Sequence, residues 1–244
     1  MGASIGTGCS QLVISLCLCA FLFFKSDSLS LHKNEKMSWE QDTLKQALRI
    51  GLPVGLDRLV TSSAYVAFTR IVSPLGTIAI AANSFGITAE SLCYMPGYGV
   101  QSAAVTLIGQ SIGAKRHDLT YRLGVLTTIL GIGLMTCSGL FMYFGSPLMM
   151  SLLSPDPSIV ILGVQILQIE AFAEPMYGAS IVVAGVLQGA GDTLSSSLMN
   201  LISMWCVRIP LAALLAGNYG LTGVWFAMAL ELNVRGILIF VSIV

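Results

Sequence analysis

Charged residues are scarce in this sequence, and their scarcity excludes the ordinary soluble classes of protein. Asp, Glu, Lys and Arg make up 10% of the 244 residues, apolar residues make up 55%, and the mean hydropathy is +0.83. A soluble domain carries roughly 25% charged residues. The formal net charge is zero, which leaves no basic surface for nucleic acid. We therefore expect an integral membrane protein that does not bind nucleic acid.

Histidine is nearly absent, and the cysteines are poorly placed for chemistry. The two histidines, His32 and His117, fall in polar connections, and the chain has no Cys-X-X-Cys pair. The six cysteines all lie in apolar stretches: Cys9, Cys17, Cys19, Cys93, Cys137 and Cys206. A structural zinc site takes about four Cys or His ligands at short spacings. The sequence therefore predicts no metal and no cofactor, with the cysteines acting as small apolar residues.

Alternation of apolar and polar residues, the signal of a barrel strand, is also absent, so the apolar stretches predict helices. Stretches without Asp, Glu, Lys or Arg are residues 1–24, 71–89, 91–114, 123–155 and 209–230. About 20 apolar residues cross a bilayer as a helix. The predicted fold is an all-α polytopic bundle of about seven transmembrane helices, with spans at 3–24, 51–73, 79–111, 121–145, 158–190, 195–216 and 220–244. The third and fifth spans exceed the bilayer thickness and should tilt, kink or project from it.

The basic residues predict the orientation of the bundle. Residues 25–50 carry five Lys or Arg and residues 112–122 carry three, whereas 74–78, 146–157 and 217–219 carry none. Because positive loops stay in the cytoplasm, we expect 25–50 and 112–122 to be cytoplasmic and the N-terminus to lie outside. The predicted location is the plasma membrane.

The chain divides at its one long polar stretch. Residues 1–24 predict a transmembrane helix, because the first basic residue follows the apolar run instead of preceding it as in a signal peptide. Residues 25–50 predict a cytoplasmic connector that ends in a short interfacial helix with Trp39 as its anchor, or a plain solvated connector. Residues 51–244 predict a six-helix lobe whose last helix is truncated.

Charged residues fall inside the predicted spans, among them Asp57, Arg58, Glu90, Glu170, Glu174, Arg208, Glu231 and Arg235. Each costs about 2.5–3.5 kcal/mol on insertion scales and should face a partner or a watery cavity. Asp57, Arg58, Glu90, Glu170 and Glu174 are the candidates for a substrate or ion pathway. The prediction is thus a polar path through the bundle.

Two of these pairs are four residues apart and so share a helix face. Glu231 and Arg235 can form an ion pair, which we interpret as structural. Glu170 and Glu174 repel each other at that spacing, so protonation of one of them would relieve the pair and give it a proton to carry. Alternatively, Glu170 lies at a shallower, hydrated depth. Both interpretations remain open.

Prolines interrupt the same predicted helices. The strongest break is at residues 95–99, which include Pro96, Gly97 and Gly99, and a further proline is Pro175. Proline removes a backbone donor and bends a helix. These four residues are the candidate hinges. Bent helices with polar residues at mid-depth suit a transporter, although they also occur in other membrane bundles.

A series of short motifs carries a resemblance to a known family. In chain order they are Gly51-Leu-Pro-Val-Gly-Leu56, Ser73-Pro-Leu-Gly-Thr77, Ala81-Ala82, Met95-Pro-Gly-Tyr-Gly99, Ala103-Ala104, Leu107-Ile-Gly-Gln-Ser-Ile-Gly-Ala-Lys115, Leu187-Gln-Gly-Ala-Gly-Asp-Thr193, Trp205-Cys-Val-Arg-Ile-Pro-Leu211 and Gly223-Val-Trp225. In this order and spacing they resemble the C-terminal lobe of the multidrug and toxic compound extrusion (MATE) family. Each motif is weak alone, and together they cover nearly the whole chain.

The resemblance implies a two-lobed, twelve-helix antiporter that exports drugs by alternating access against inward H⁺ or Na⁺ flow. The chain would correspond to helices six to twelve, as a fragment of a longer protein or as a half that pairs with a separate N-terminal lobe. The implied substrates are small organic compounds, cationic or amphipathic. No enzyme activity is expected.

Only some of the family's functional residues carry over. Sodium-driven members have a carboxylate where this sequence has Thr61 and a second acid where it has Tyr177. That sodium site therefore does not transfer. Asp57-Arg58 and Glu90 match a bacterial branch of the family, and Glu174 departs from it, since Gln is usual before that proline.

Three other functions are alternatives to an antiporter. Gly189-Ala-Gly-Asp192 matches the Gly-X-Gly-Asp signature of intramembrane aspartyl proteases, but the Tyr-Asp partner is absent and Asp192 is better interpreted as a helix N-cap. A lipid or oligosaccharide-lipid flippase of related fold is the nearer alternative. Such a protein should have more cationic residues in its cavity than the few expected here. An inactive half-transporter is the third alternative.

Overall fold

The computed structural model describes residues 2–24 and 41–241, and within these ranges the chain is helical apart from the short turns between helices. The helices are α1 (Gly2–Phe24), α2 (Gln41–Val72), α3 (Thr77–Gly113), α4 (His117–Leu153), α5 (Pro157–Ala171), α6 (Glu174–Gly189), α7 (Thr193–Ile202) and α8 (Ile209–Val241). A 3₁₀ turn (Ser73–Leu75) precedes α3, and a π-helical segment (Ser203–Arg208) joins α7 to α8. The all-α prediction is confirmed.

The chain divides into two compact units, Met1–Lys45 and Gln46–Val244. The first unit contains α1, an apolar helix without charged residues. Residues 25–40, which carry most of the predicted connector and Trp39, lie outside the described residues. From Gln41 the helix α2 runs without interruption through Gly51 to Val72, so the described part of the connector is continuous with the second predicted span.

Within the described ranges, two helical stretches are long and apolar enough to cross a membrane, His117–Leu153 and Thr193–Ile239. The pair α5–α6 passes the same test as one span that is bent by 57°. Helices α2 and α3 are of similar length, 32 and 37 residues. They carry much of the polar lining of the cavity described below, which lowers their hydropathy. The described helices occupy the predicted spans.

The breaks in the helices fall at some of the predicted positions and not at others. The fifth span bends between α5 and α6, where Pro175 opens the second helix. Gly220 interrupts α8 with φ 58° and ψ −141°, next to the predicted connection at 217–219. A positive φ is strained for any residue but glycine, so this position requires one. In contrast, α3 stays helical through Pro96, the strongest predicted break.

Helix α4 extends eight residues beyond the predicted end of its span and passes through Pro147. A proline cannot donate to the carbonyl four residues earlier, which here belongs to Tyr143. The hydroxyl of Ser146 donates to that carbonyl at 3.1 Å. This replacement bond explains why the helix tolerates the proline.

The core of the second unit lies among α3, α4, α5 and α8. Its centre is Trp225, fully buried, whose indole N–H donates to Asn83 at 3.0 Å. Around it pack apolar residues of several helices, among them Phe68, Met142, Ile166, Leu167 and Val224. This apolar core packs helices of the lobe together, and other faces of some of these helices line the cavity described below.

Candidate functional site: a charged cavity in the helical lobe

A cavity of about 300 Å³ lies between α2, α3, α6 and the α7–α8 segment. Its polar and aromatic wall includes Thr61, Tyr65, Tyr94, Tyr98, Gln101, Ser102, Tyr177, Ser180, Gln188, Ser197 and Asn200. The cavity is therefore a polar pocket inside a membrane bundle, as expected where intramembrane charges occur.

Five charged side chains line this cavity. Two are acids, Asp57 and Glu90, and three are arginines, Arg58, Arg208 and Arg235. The cavity thus brings together three of the predicted pathway residues, Asp57, Arg58 and Glu90. The three arginines are among those that the sequence places inside the spans, and in this cavity they outnumber the two acids.

Glu170 and Glu174, the other two predicted pathway residues, do not line this cavity. Both are fully buried, and none of their carboxyl oxygens has a hydrogen-bond partner among the described residues. Glu174 packs against α4, since a Cβ on Gly139 would come within 3.0 Å of its Cβ. The helix breaks between the two glutamates, after Ala171, so they do not share the regular helix face expected at that spacing.

The π-helical segment brings Arg208 into the cavity. A π turn inserts extra residues into a helix and changes which side chains face inward, and it is frequent at functional sites. Ser203, Met204 and Arg208 are buried, whereas Trp205 and Cys206 are exposed. The segment ends two residues before Pro210, which cannot donate a backbone hydrogen bond.

One carboxylate holds the two buried arginines from behind the cavity wall. Glu231 Oε1 lies 3.4 Å from Arg235 Nε, and Glu231 Oε2 lies 4.0 Å from Arg208 Nη1. The hydroxyl of Ser203 donates to Glu231 Oε1 at 2.6 Å. The predicted pair of Glu231 and Arg235 is therefore part of a larger group that includes Arg208.

A short chain of hydrogen bonds links this group to α2. Arg235 Nη1 donates to Asn200 Oδ1 at 2.6 Å, and Asn200 Nδ2 donates to Asp57 Oδ1 at 3.1 Å. Asn200 Nδ2 also lies 3.4 Å from Thr61 Oγ1. Asn200 thus joins an arginine of α8 to an aspartate of α2.

Aromatic rings surround the arginines. The guanidinium of Arg208 lies 4.8 Å from the ring centre of Phe68 and 5.8 Å from that of Tyr65. The guanidinium of Arg235 lies 5.4 Å from the ring centre of Tyr177. Such cation–π contacts stabilise a buried cation and fix the plane of its guanidinium.

Several wall residues could not be identified from the sequence as part of a binding site. Asn200, Gln188 and the tyrosines carry no pattern that indicates one. Arg208 could have been identified, since it is a charged residue within a predicted span. Thr61 and Tyr177 also line the cavity.

Asp192, the acid of the protease-like motif, lies outside this cavity. Its side chain accepts a hydrogen bond from the backbone N–H of Ser195 at 3.1 Å and caps α7. Hydrogen bonds from Ser195 hold the pKa of Asp192 below its ordinary value. The N-cap interpretation is confirmed.

A helical membrane lobe that encloses a charged, aromatic-lined cavity has the architecture of one lobe of a secondary transporter. The MatE family model matches residues 53–214, more than half of the chain. This chain belongs to the MatE family and has the fold of one lobe of a MATE-type transporter. It is an integral membrane protein.

Named relatives and a solved structure agree with this assignment. The chain is 28% identical over 244 residues to "Probable multidrug resistance protein NorM" of Thermotoga maritima, covering 97% of this chain and 51% of that protein. It is 26% identical to a protein of the same name from Streptococcus pneumoniae, covering 97% of this chain and 53% of that protein. The chain thus spans about half the length of the curated relatives it matches.

The structural comparison supports the fold alone. The outward-facing conformation of a multidrug resistance MATE family transporter of the MOP superfamily matches 99% of this chain and 55% of its own chain, with a TM-score of 0.88 and 20% sequence identity.

Proposed function

We propose that this chain is the C-terminal lobe of a cation-coupled antiporter that exports small organic compounds. The observation that carries the proposal is the charged cavity, which Asp57, Glu90 and three arginines line inside an apolar bundle. Intramembrane charges facing a cavity mark a substrate or ion path. The names of the relatives, which are multidrug resistance proteins, support an organic xenobiotic as cargo.

The lobe would work together with an N-terminal lobe, in the same chain or a separate one. A facing lobe would close the open side of the cavity, and the two would rock about the substrate by alternating access. The bend before Pro175 and the break at Gly220 would absorb part of that motion. Pro96, Gly97 and Gly99 remain candidate hinges within the continuous helix α3.

Coupling to H⁺ or Na⁺ is assigned to the cavity acids. Glu90 is buried in the wall of the cavity. Among residues 41–241 it has no ion-pair partner within 4.0 Å. Asp57 already accepts a hydrogen bond from Asn200. Glu90 is therefore the better candidate for exchanging a cation. Glu170 and Glu174 have no such role in this proposal, because they lie outside the cavity.

The membrane and the orientation are also proposed. We place the protein in the plasma membrane with the N-terminus outside and residues 25–50 and 112–122 in the cytoplasm. The support is the distribution of Lys and Arg, which are absent from the connection between α4 and α5.

The test is transport by this chain together with its N-terminal lobe, whether the two are one chain or two, in proteoliposomes with an imposed pH or Na⁺ gradient. The probes are ethidium and 1-naphthaleneacetate, an aromatic cation and an aromatic anion. We expect one gradient to drive at least one probe, and Glu90→Gln to lower the gradient-driven rate by about 100-fold or more, the lower end for one proton-transfer group. Asp118→Asn, an exposed acid paired with Arg116, is the matched control and should keep the wild-type rate.

Failure of both gradients to move either probe would contradict the proposal. A wild-type rate in Glu90→Gln would contradict the coupling role of that residue.

The three arginines favour one alternative, a flippase of lipids with an anionic headgroup. Translocation of headgroup-labelled phosphatidylglycerol across the proteoliposome bilayer, without probe transport, would select it.

A further inference from the structure

We infer that Arg208 and Arg235 form a subsite for an anionic group, a carboxylate or a phosphate, on the compound that the cavity binds. This inference rests on the proposed transport function and names the substrate class of the same cavity. It differs from the cationic substrates that the sequence resemblance implies. The bound compound would be an amphipathic anion with an aromatic or apolar body.

The first support is the unused hydrogen-bonding capacity of Arg208. Its side chain lines the cavity but is only 8% exposed, and its Nε has no hydrogen-bond partner among the residues that the structure describes. Its Nη2 contacts the sulfur of Met228, which is a weak acceptor. Its Nη1 lies 4.0 Å from Glu231, beyond hydrogen-bond distance. A guanidinium has five donors, and nearly all of these lack a good acceptor.

The second support is the charge around the two arginines. Glu231 is the one carboxylate within 4.0 Å of either guanidinium among the described residues, and it stands between both. It also accepts from Ser203 and lies closer to Arg235 than to Arg208. The two guanidiniums therefore share one carboxylate among the described residues. Two cations that share one anion are incompletely neutralised, and an anionic ligand group would supply a second negative charge.

The other acids of the cavity do not fill this position. Asp57 is held by the amide of Asn200 and lies beside Arg58 in the chain. Glu90 also lines the cavity but makes no ion pair with Arg208 within 4.0 Å. An anion at Arg208 would leave Glu90 available for a coupling cation or for a cationic group on the same compound.

The third support is the way the rings hold the guanidinium groups. Arg208 lies over Phe68, and Arg235 lies over Tyr177. A ring places no hydrogen-bond acceptor against a guanidinium, so these contacts leave N–H donors for a carboxylate or phosphate, which arginine can bind in a bidentate manner. Tyr94 and Tyr98 add further apolar surface to the same cavity. The cavity volume of about 300 Å³ suits one small aromatic body.

The experiment compares two probes of the same shape and opposite charge, 1-naphthaleneacetate and 1-naphthylmethylammonium. Each is titrated against the full chain in phosphatidylcholine nanodiscs. We expect the carboxylate to bind at least about tenfold more tightly than the ammonium. Arg208→Gln should lower the affinity for the carboxylate about tenfold, the effect of one charge-assisted hydrogen bond, and leave the ammonium unchanged.

Two further variants keep the result interpretable. Arg208→Lys retains the charge without the planar fork and should lie between wild type and Arg208→Gln. Arg70→Gln removes an exposed arginine outside the cavity and should bind both probes like wild type. If Arg208→Gln does not fold, the affinities of the two probes for wild type and for Arg208→Lys test the inference.

Two results would overturn the inference without contradicting the proposed transport function. One is tighter binding of the ammonium than of the carboxylate. The other is the same affinity for the carboxylate in wild type and in both Arg208 variants. Binding of neither probe would overturn both. Nanodiscs that contain phosphatidylglycerol distinguish the source of the anion. If that lipid competes with the carboxylate probe, the subsite binds a lipid headgroup. If it does not compete and binding still depends on Arg208, the subsite binds a free organic acid.

Discussion

Three glutamates of this lobe are fully buried, and their surroundings differ sharply. Glu231 accepts a hydrogen bond from Ser203 and lies near two arginines. Glu170 and Glu174 have no hydrogen-bond partner within the described part of the chain. Burial of a carboxylate is offset only where partners satisfy it. The first glutamate should therefore stabilise the fold, and the other two should not.

Replacing each buried glutamate by glutamine tests this difference. Glu231→Gln removes the one carboxylate that faces two buried guanidiniums and should lower the free energy of unfolding by about 3–5 kcal/mol. Glu174→Gln is the matched variant and should change it by less than about 1 kcal/mol, or raise it, because a neutral amide costs less to bury than an unpaired carboxylate. The measurement is the unfolding free energy in detergent. A larger loss in Glu174→Gln than in Glu231→Gln would contradict this account.

Some features of individual residues could be predicted from the sequence. The charged residues inside the spans could be found by position, and the pairing of Glu231 with Arg235 followed from their spacing of four. The position of Arg208 beside Glu231 could not be predicted, because those residues are 23 apart in sequence and meet only through packing. The expected repulsion of Glu170 and Glu174 assumed one regular helix, and the helix breaks between them.

At the scale of elements, α6 is the helix around which the lobe packs. It contacts α3, α4 and α8, and glycines occur where the backbones come closest. A Cβ on Gly185 would lie 2.9 Å from the carbonyl oxygen of Gln101, and one on Gly236 would lie 2.6 Å from that of Met176. Membrane helices associate through such small residues because lipid provides no hydrophobic force between them.

Alanine at Gly185 should force α3 and α6 apart. The new methyl group would meet the backbone of Gln101, which cannot move without shifting α3. Overpacking of this kind costs about 1–3 kcal/mol, so we expect a clear fall in the thermal unfolding midpoint in detergent.

The control is Gly133→Ala, on an exposed face of α4 where a Cβ would meet no atom within 4 Å. It should keep or slightly raise the midpoint, since alanine is a better helix former than glycine. Equal falls in both variants would show that the close approach of α3 and α6 does not limit stability.

The positions of the helices follow from the sequence, but only some of the irregularities within them do. Long, predominantly apolar stretches predicted the spans, and the breaks near Pro175 and Gly220 were expected. Pro147 was not expected inside a helix, because the bond from Ser146 that replaces its missing donor depends on a rotamer. The π-helical segment has no sequence pattern of its own, although it determines that Arg208 faces the cavity.

At the scale of the whole lobe, the cavity exists because four helical segments turn their polar faces toward one another. Residues from 57 to 239 contribute to it, so no local pattern could predict its walls. The ordered motifs did lead to the right family and thereby to the lobe architecture. Its charge was not predicted, since the three arginines meet only in the folded protein.

The central claim is that this cavity is a water-filled path inside a membrane-embedded lobe. It is tested most directly by cysteine accessibility in native membranes, in a background where the six native cysteines are replaced. Gln188→Cys lies in the cavity wall, and Leu130→Cys lies on an exposed apolar face of α4 that should contact lipid. We predict that a charged, membrane-impermeant thiol reagent modifies the cysteine at 188 and leaves the cysteine at 130 unmodified. Modification at 130 with none at 188 would contradict the account.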